Sequence, residues 1–334
     1  MDREKFVRII REHSPAPRPL VPPPLPPEWE ALLFPPGPRT AASINSTAAG
    51  IHIPAAADGR RGGGIDAGGE KIRAVLFDVY GTLFCSAAGD IGGAAGSATG
   101  VEDRGRLEAA IREFAPGVSA GEVTDYFRRR VLEIHRERAG QTRYPEVRVE
   151  DIWAGFLERF PPKGGEGEGA RRERAREFAL RYELALNPVF PLPGTAGAIA
   201  ALRESGVLLG LVSNAQFFTP LLFDAFLGAS PEELGFDPAL VVYSHEMGEA
   251  KPSPALFGRA AAELARRGVE SGTCLYAGND MRNDILGAAA AGWKTVLFAG
   301  DPLSLRLRRG DPSVGDLKPW RVVRDLRYLV TLLS

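Results

Sequence analysis

The residues best suited to chemistry in this sequence each stand at or after a short apolar run. Asp78 ends the run "IRAVLFDV", Ser213 and Asn214 end "VLLGLVSN", and Lys251 comes after "LVVYS". A carboxylate held near a lysine stays ionised and can act as a nucleophile. A serine hydroxyl with neighbouring backbone N–H groups can hold an oxyanion.

A fourth run, "TCLYAG", leads into an acidic segment that contains Asn279, Asp280 and Asp284. Carboxylate and amide oxygens are ligands that Mg²⁺ prefers in proteins. A metal ion or a lysine offsets the repulsion between an anionic substrate and an anionic nucleophile. The four segments together therefore predict a site for a small anionic substrate, with Mg²⁺ as the expected cofactor.

These runs predict the elements that position the site. They are continuously apolar and rich in Val and Leu, which is typical of strands covered on both faces, and "KTVLFAG" and "RVV" extend the set. Helical stretches separate them and stop near Gly206, Gly268 and Gly292. The pattern predicts an α/β fold, a doubly wound Rossmann-like parallel sheet. The carboxyl ends of its strands would meet at one crevice.

A long interval separates the first two strands, and its apolar residues have helical spacing. Ser119 and Glu122 form a capping-box pattern within it. We predict a helical cap domain at 86–189, inserted into a core made of 71–85 and 190–334. The predicted core faces of its helices are Leu107, Ile111 and Phe114; Val123, Phe127, Val131 and Ile134; Ile152, Phe156 and Phe160; and Phe178, Tyr182 and Leu186.

Residues 1–70 have a different composition, with 12 of the 27 prolines and a glycine-rich end. Such a segment has little apolar surface to offset the entropy of ordering, so it is predicted to be an extended or disordered leader. Phe6, Ile9 and Ile10 have the spacing of a short amphipathic helix, and the stretch 29–34 has the apolar character of a docking segment.

The composition argues against nucleic-acid-binding and membrane-associated proteins. With 41 basic and 42 acidic residues, no overall field favours a nucleic-acid or membrane partner. No apolar run approaches the roughly 20 residues that cross a bilayer. Cys85 and Cys274 fall at opposite ends of predicted strands, which argues against a disulfide. The expectation is a cytoplasmic protein with a small-molecule substrate.

Residues 72–334 resemble the haloacid dehalogenase (HAD) superfamily of hydrolases. The resemblance rests on "FDVYGTL" at 77–83, on Ser213, on Lys251 before a proline, and on "GNDMRNDILGAAAAG" at 278–292. All four motifs of that superfamily are present in order. The helical insert resembles its C1-type cap.

The resemblance implies a two-step reaction in which Asp78 attacks the substrate and water hydrolyses the covalent aspartyl intermediate. Ser213 would bind the transferred group and Lys251 would hold Asp78. Tyr80, Thr82 and Asn214 are expected to contact the substrate. In metal-using members, Mg²⁺ would be held by Asp78, by the backbone carbonyl at Tyr80, and by the fourth motif, here Asn279, Asp280 or Asp284.

Two positions depart from the common phosphatase pattern and point in different directions. Tyr80 stands where phosphatases carry an aspartate that protonates the leaving group, and 2-haloacid dehalogenases often have tyrosine there. A phenol with a pKa near 10 is a poor general base at neutral pH. The acidic fourth motif is closer to the metal-binding version, although Asn279 replaces its aspartate.

The preferred interpretation is a Mg²⁺-dependent phosphatase of a small phosphorylated metabolite. The alternative is a metal-free 2-haloacid dehalogenase, for which Arg128 on the second cap helix is the candidate anion contact. A third hypothesis is an anion-binding protein with weak catalysis.

Overall fold

The computed structural model describes residues 1–14, 21–34, 71–86 and 101–334, and its sheet is built from the predicted apolar runs. The strands are β1 (Ala74–Phe77), β2 (Phe84–Cys85), β3 (Phe190–Pro191), β4 (Leu208–Ser213), β5 (Phe236–Tyr243), β6 (Cys274–Gly278), β7 (Lys294–Phe298) and β8 (Arg321–Val323). Six of them form a parallel sheet in the order β5-β4-β1-β6-β7-β8. The predicted α/β Rossmann-like fold is confirmed.

The helices fill the intervals between the strands. They are α1 (Arg3–His13), α2 (Val101–Phe114), α3 (Ala120–Arg138), α4 (Val149–Leu157), α5 (Glu168–Leu186), α6 (Thr195–Glu204), α7 (Thr219–Leu227), α8 (Ser244–Met247), α9 (Pro254–Arg266) and α10 (Gly287–Ala290). A π-helical turn, Met281–Leu286, precedes α10. No helix in the four described ranges combines the length and apolar character that crossing a bilayer requires.

The order of the strands creates the crevice that the site needs. β1 pairs with β4 on one side and with β6 on the other, so Phe77 lies beside both Leu211 and Ala277. The chain winds outward from β1 in both directions, and ligands bind at such a switch point, beyond the carboxyl ends of the strands. β1 is completely buried, as a strand covered on both faces must be.

Helices α2 to α5 form an insert between β2 and β3, which pair antiparallel at its base. Trp153 lies at the centre of this helical unit, with ring centroids 4.6 Å from Tyr182, 4.9 Å from Phe178 and 5.2 Å from Phe127. The capping box of Ser119 and Glu122 forms at the start of α3. The aromatic stripes therefore serve as the core of the insert, as their spacing predicts.

Two stretches of the leader are folded, where the spacing of Phe6, Ile9 and Ile10 and the apolar stretch 29–34 predicted a helix and a docking segment, so an extended or disordered leader is wrong for them. Phe6 and Ile10 of α1 are completely buried, and Arg3 and Lys5 form ion pairs with α7 and α5. Farther along, Trp29 is buried in a 3₁₀ turn at Pro27–Leu32. A few large apolar side chains on one face suffice to dock a short segment, even where overall composition is poor in them. The rest of the leader lies outside the described residues.

Candidate active site

The ends of β1 and β4 bring together the candidate nucleophile and two of its predicted partners. The Ser213 hydroxyl donates to Asp78 Oδ1 over 2.8 Å, and Lys251 Nζ donates to the same oxygen over 2.7 Å. All three residues are at most 6% exposed. Both contacts end on Oδ1, and no described residue bonds to Oδ2. This arrangement holds the carboxylate in one orientation and leaves its second oxygen for attack.

Lys251 also belongs to a deeper buried network. Its Nζ lies 2.5 Å from Asp284 Oδ1 and 3.2 Å from the Tyr276 hydroxyl, which donates to the Val212 carbonyl over 2.7 Å. Burial lowers the pKa of Lys251, but the carboxylates of Asp284 and Asp78 more than offset this, so the pKa is raised overall. Lys251 is therefore held as a cation between two acidic groups.

Asp284 faces that cation from the fourth motif. Burial raises its pKa, and the Lys251 ammonium opposes the rise. Its other oxygen accepts backbone N–H groups of Asn279 and Asp280 at 3.0 and 2.9 Å. Gly278 permits this folding-back, because a Cβ there would collide with the Asp284 side chain. Asp284 thus positions Lys251 and shapes the turn after β6.

Asn214 fixes the backbone on which Lys251 stands. Its Oδ1 accepts the Lys251 N–H at 2.6 Å, and its Nδ2 donates to the Lys251 carbonyl at 3.4 Å. The side chain therefore ties the end of β4 to the loop that follows α8. Asn214 is predicted to bind substrate, but its side-chain amide is already engaged in these two hydrogen bonds to the Lys251 backbone.

Asn279 and Thr82 bond to each other within the protein. The Thr82 hydroxyl donates to Asn279 Oδ1 over 3.2 Å, and Asn279 Nδ2 donates to the Ser304 carbonyl over 2.6 Å. Gly81, with φ of 88°, lies directly against this amide, and a Cβ on Gly81 would overlap it. The first and fourth motifs are locked together through these contacts.

Asp280 caps the π-helical turn and forms an ion pair. Its Oδ1 accepts the N–H groups of Arg282 and Asn283, and the Arg308 guanidinium approaches both of its oxygens within 2.5–3.1 Å. Arg308 is delivered by the loop after β7, whose Arg306 pairs with residues 279 and 281 of the fourth motif through backbone hydrogen bonds. A carboxylate capping a helical turn and facing a guanidinium is satisfied without a metal ion.

These contacts test the predicted magnesium ligands. Mg²⁺ is usually bound by one or two carboxylates with an open coordination shell. In the described part of the chain, the side-chain oxygens of Asn279, Asp280 and Asp284 all accept hydrogen bonds or ion pairs. Asp78 Oδ2 accepts none from a described residue. The donor set therefore does not fit a Mg²⁺ ion held by the fourth motif, because Lys251 and Arg308 already balance the carboxylates of Asp284 and Asp280.

The Tyr80 side chain reaches from the first motif to the start of α7. Its hydroxyl lies 2.9 Å from Thr219 Oγ1, which also accepts the Gln216 N–H at 3.1 Å. Burial raises the pKa of Tyr80 far above that of a free phenol. The hydroxyl is therefore neutral at all physiological pH values, which excludes it as a general base.

A cavity of about 200 Å³ lies between the cap and the core. Tyr80 and Asn214 line its core side, while Val131, His135 and Glu183 line its cap side. Arg128, the predicted anion contact, is exposed on α3 and lies outside this lining. The cap therefore contributes apolar, basic and acidic side chains to this cavity.

Sequence patterns did not reveal Tyr276, Thr219, Arg308 or Glu183. Tyr276 offered one signal, a hydroxyl in an otherwise apolar buried strand, since such a group must find a partner. The other three come from helices or a loop, and their positions depend on tertiary docking.

A sequence model described as haloacid dehalogenase-like hydrolase matches residues 72–292. The chain belongs to this hydrolase family. The match includes the whole helical insert and the four motif segments, so this HAD-like chain is an enzyme of the hydrolase class.

One sequence relative of this HAD-like chain is a phosphatase. It is 32% identical over 145 residues to a ribulose-1,5-bisphosphate 5-phosphatase of Halopiger xanaduensis, covering 43% of this chain and 56% of the relative. The match thus spans little more than half of the relative's length.

Two solved structures are similar over most of the chain. A 2-haloacid dehalogenase from Pseudomonas syringae pv. Tomato is 20% identical with a TM-score of 0.48, covering 78% of this chain and 98% of the other. A HAD phosphatase from Thermococcus onnurineus is 21% identical with a TM-score of 0.44, covering 79% and 98%.

Proposed function

We propose that this HAD-like hydrolase cleaves a small phosphate ester through a covalent intermediate on Asp78. The observation that carries the proposal is the fixed orientation of Asp78, whose Oδ1 is held by Ser213 and Lys251. The similarity to a sugar-bisphosphate phosphatase supports a phosphorylated substrate. The ribulose bisphosphate named for that relative is one candidate within this class.

The residues divide the work of the proposed reaction. Asp78 Oδ2 attacks phosphorus, the bond to the leaving oxygen breaks, and a water molecule then cleaves the aspartyl phosphate. The Lys251 ammonium offsets the charge that gathers on Asp78 and the phosphoryl oxygens. Ser213, with its hydroxyl 2.8 Å from Asp78, can turn to donate to a phosphoryl oxygen.

The first prediction concerns metal dependence. Because the fourth-motif oxygens are engaged by Thr82, Arg308 and Lys251, we expect excess EDTA to change hydrolysis of p-nitrophenyl phosphate by less than about twofold. Initial rates with EDTA, and after adding Mg²⁺ back, provide the measurement. A loss of activity that Mg²⁺ restores would show that substrate binding frees these ligands, and would return Mg²⁺ to the mechanism.

The second prediction concerns Tyr80. Because its neutral hydroxyl is bonded to Thr219, Tyr80→Phe should change kcat on p-nitrophenyl phosphate and on an alkyl phosphate by less than about fivefold. Its stability cost should be about 1 kcal/mol, the value of one hydrogen bond. Steady-state kinetics and urea unfolding measure the two effects, and Thr219→Val is the matched control. A rate loss of ~10²-fold or more, confined to the alkyl ester, would identify Tyr80 as the acid.

Dehalogenation of a 2-haloacid is the second candidate. It is favoured by one observation, the lack of fit of the donor set to Mg²⁺, because halide leaves without a proton and without a metal ion. Single turnover in H₂¹⁸O separates the two reactions. Hydrolysis of an aspartyl ester at its carbonyl carbon puts ¹⁸O into Asp78, whereas hydrolysis of an aspartyl phosphate at phosphorus puts ¹⁸O into the released phosphate.

A further inference from the structure

The cavity between cap and core borders the segments that carry the candidate nucleophile and its two partners. Tyr80 is two residues beyond Asp78, Asn214 directly follows Ser213, and Ala250 directly precedes Lys251; all three line the cavity. The part of a substrate that leaves from phosphorus must point away from Asp78, and this cavity, which cap and core both line, is the space available for it. Groups on the cap side of the cavity are therefore placed to meet the leaving oxygen.

Glu183 is the acidic group that α5 contributes to this lining. It stands in the last turn of the helix, and its Oε1 accepts Asn187 Nδ2 at 3.2 Å. Asn187 Oδ1 in turn accepts the Ser86 hydroxyl at 3.2 Å, which anchors the group to the base of the cap. Among the described residues, no lysine, arginine or histidine forms an ion pair with Glu183.

Glu183 is half-buried, and a partly desolvated carboxyl group without a cationic partner holds its proton more strongly. Burial raises the pKa of Glu183, and the hydrogen bond from Asn187 opposes the rise only in part. Glu183 and Tyr80 line the same cavity, Glu183 from the cap and Tyr80 from the core. A carboxyl group with a raised pKa thus faces the cavity into which the first motif also brings Tyr80.

We propose that Glu183 of the cap protonates the leaving oxygen, the task of the aspartate whose place Tyr80 occupies. The inference rests on the proposed phosphatase function. In the first step the Asp78–phosphorus bond forms, the ester bond breaks, and its electron pair on the leaving oxygen takes the Glu183 proton. In the second step the Glu183 carboxylate accepts a proton from the attacking water as the Asp78–phosphorus bond breaks, which restores both groups.

Glu183→Gln tests this assignment, because the amide keeps the shape of the side chain and its oxygen can still accept from Asn187. An alkyl leaving group needs a proton, whereas p-nitrophenolate leaves without one. We expect kcat/KM to fall ~10²-fold or more on β-glycerol phosphate and less than about fivefold on p-nitrophenyl phosphate. Adding Tyr80→Asp to Glu183→Gln should restore part of the alkyl rate.

Glu177→Gln is the control, since Glu177 lies on the same helix but pairs with Lys5 and Arg181 outside the cavity. It should affect both substrates equally. An equal loss on both substrates in Glu183→Gln would overturn the assignment and indicate a role in cap folding. Wild-type protein that hydrolyses neither ester would instead refute the proposed function, and the assignment with it.

A second measurement does not depend on turnover. In the NMR spectrum of ¹³C-glutamate-labelled protein, the signal that is missing from Glu183→Gln identifies the Glu183 carboxyl carbon. We expect this carbon to titrate above the ordinary glutamate pKa of about 4.3. Titration at or below that value would overturn the assignment, because an ionised carboxylate has no proton to donate.

Discussion

Asp78→Asn should reduce the turnover of p-nitrophenyl phosphate by roughly 10⁴-fold or more, because an amide oxygen cannot form the covalent intermediate. The fold should persist. The asparagine Oδ1 can still accept from Ser213, and Lys251 keeps Asp284 as an ionic partner. Steady-state rates and thermal unfolding of the same preparations provide the measurement.

Ser213→Ala is the matched control for Asp78→Asn, since it removes a neighbour of the same carboxylate without removing the nucleophile. We expect it to slow turnover by ~10²–10³-fold, the usual effect of losing one donor to a developing oxyanion. Asp78→Asn protein that keeps wild-type rates would refute the nucleophile assignment. Phosphate binding without turnover in the wild type would favour the anion-binding hypothesis instead.

The sequence was sufficient to predict most of the sheet and the core of the site. Uninterrupted apolar runs locate parallel strands well, and the ends of such strands converge, which is why Asp78 and Ser213 could be paired in advance. β5 begins at Phe236, earlier than its apolar run suggests, because Asp237 and Pro238 hide the start of the pattern. A strand that includes polar residues and a proline gives a weak periodic signal.

Sequence patterns could not identify the partners of the fourth motif, because these contacts form only when distant segments dock. Arg308 reaches Asp280 from an irregular loop, in a backbone conformation with positive φ that no local pattern predicts. The aromatic stripe of α5 correctly predicted its buried face, but Glu183 follows Tyr182 directly, and its environment depends on how the cap docks. Such contacts are tertiary, so residue type and spacing alone could not assign them.

Lys251→Met should both abolish turnover and destabilise the fold. The ammonium is the shared partner of Asp78 and Asp284, which are buried beside it. Its loss leaves two buried carboxylates facing each other without a cation, and breaking such a pair typically costs about 3–5 kcal/mol. Urea unfolding at pH 8 measures the change in the free energy of unfolding.

The pH dependence of Lys251→Met and a second substitution separate the two roles of the lysine. Burial raises the pKa of Asp284 to about 7 even with Lys251 present. A carboxyl group whose pKa is higher in the folded chain than its unfolded value of about 3.9 favours folding most when protonated. The free energy of unfolding of Lys251→Met should therefore be higher at pH 5 than at pH 8.

Adding Asp284→Asn should recover stability at pH 8 but leave turnover absent, since Asp78 still lacks its cation. Equal instability of single and double variants at both pH values would mean that the lysine stabilises the fold by packing rather than by charge.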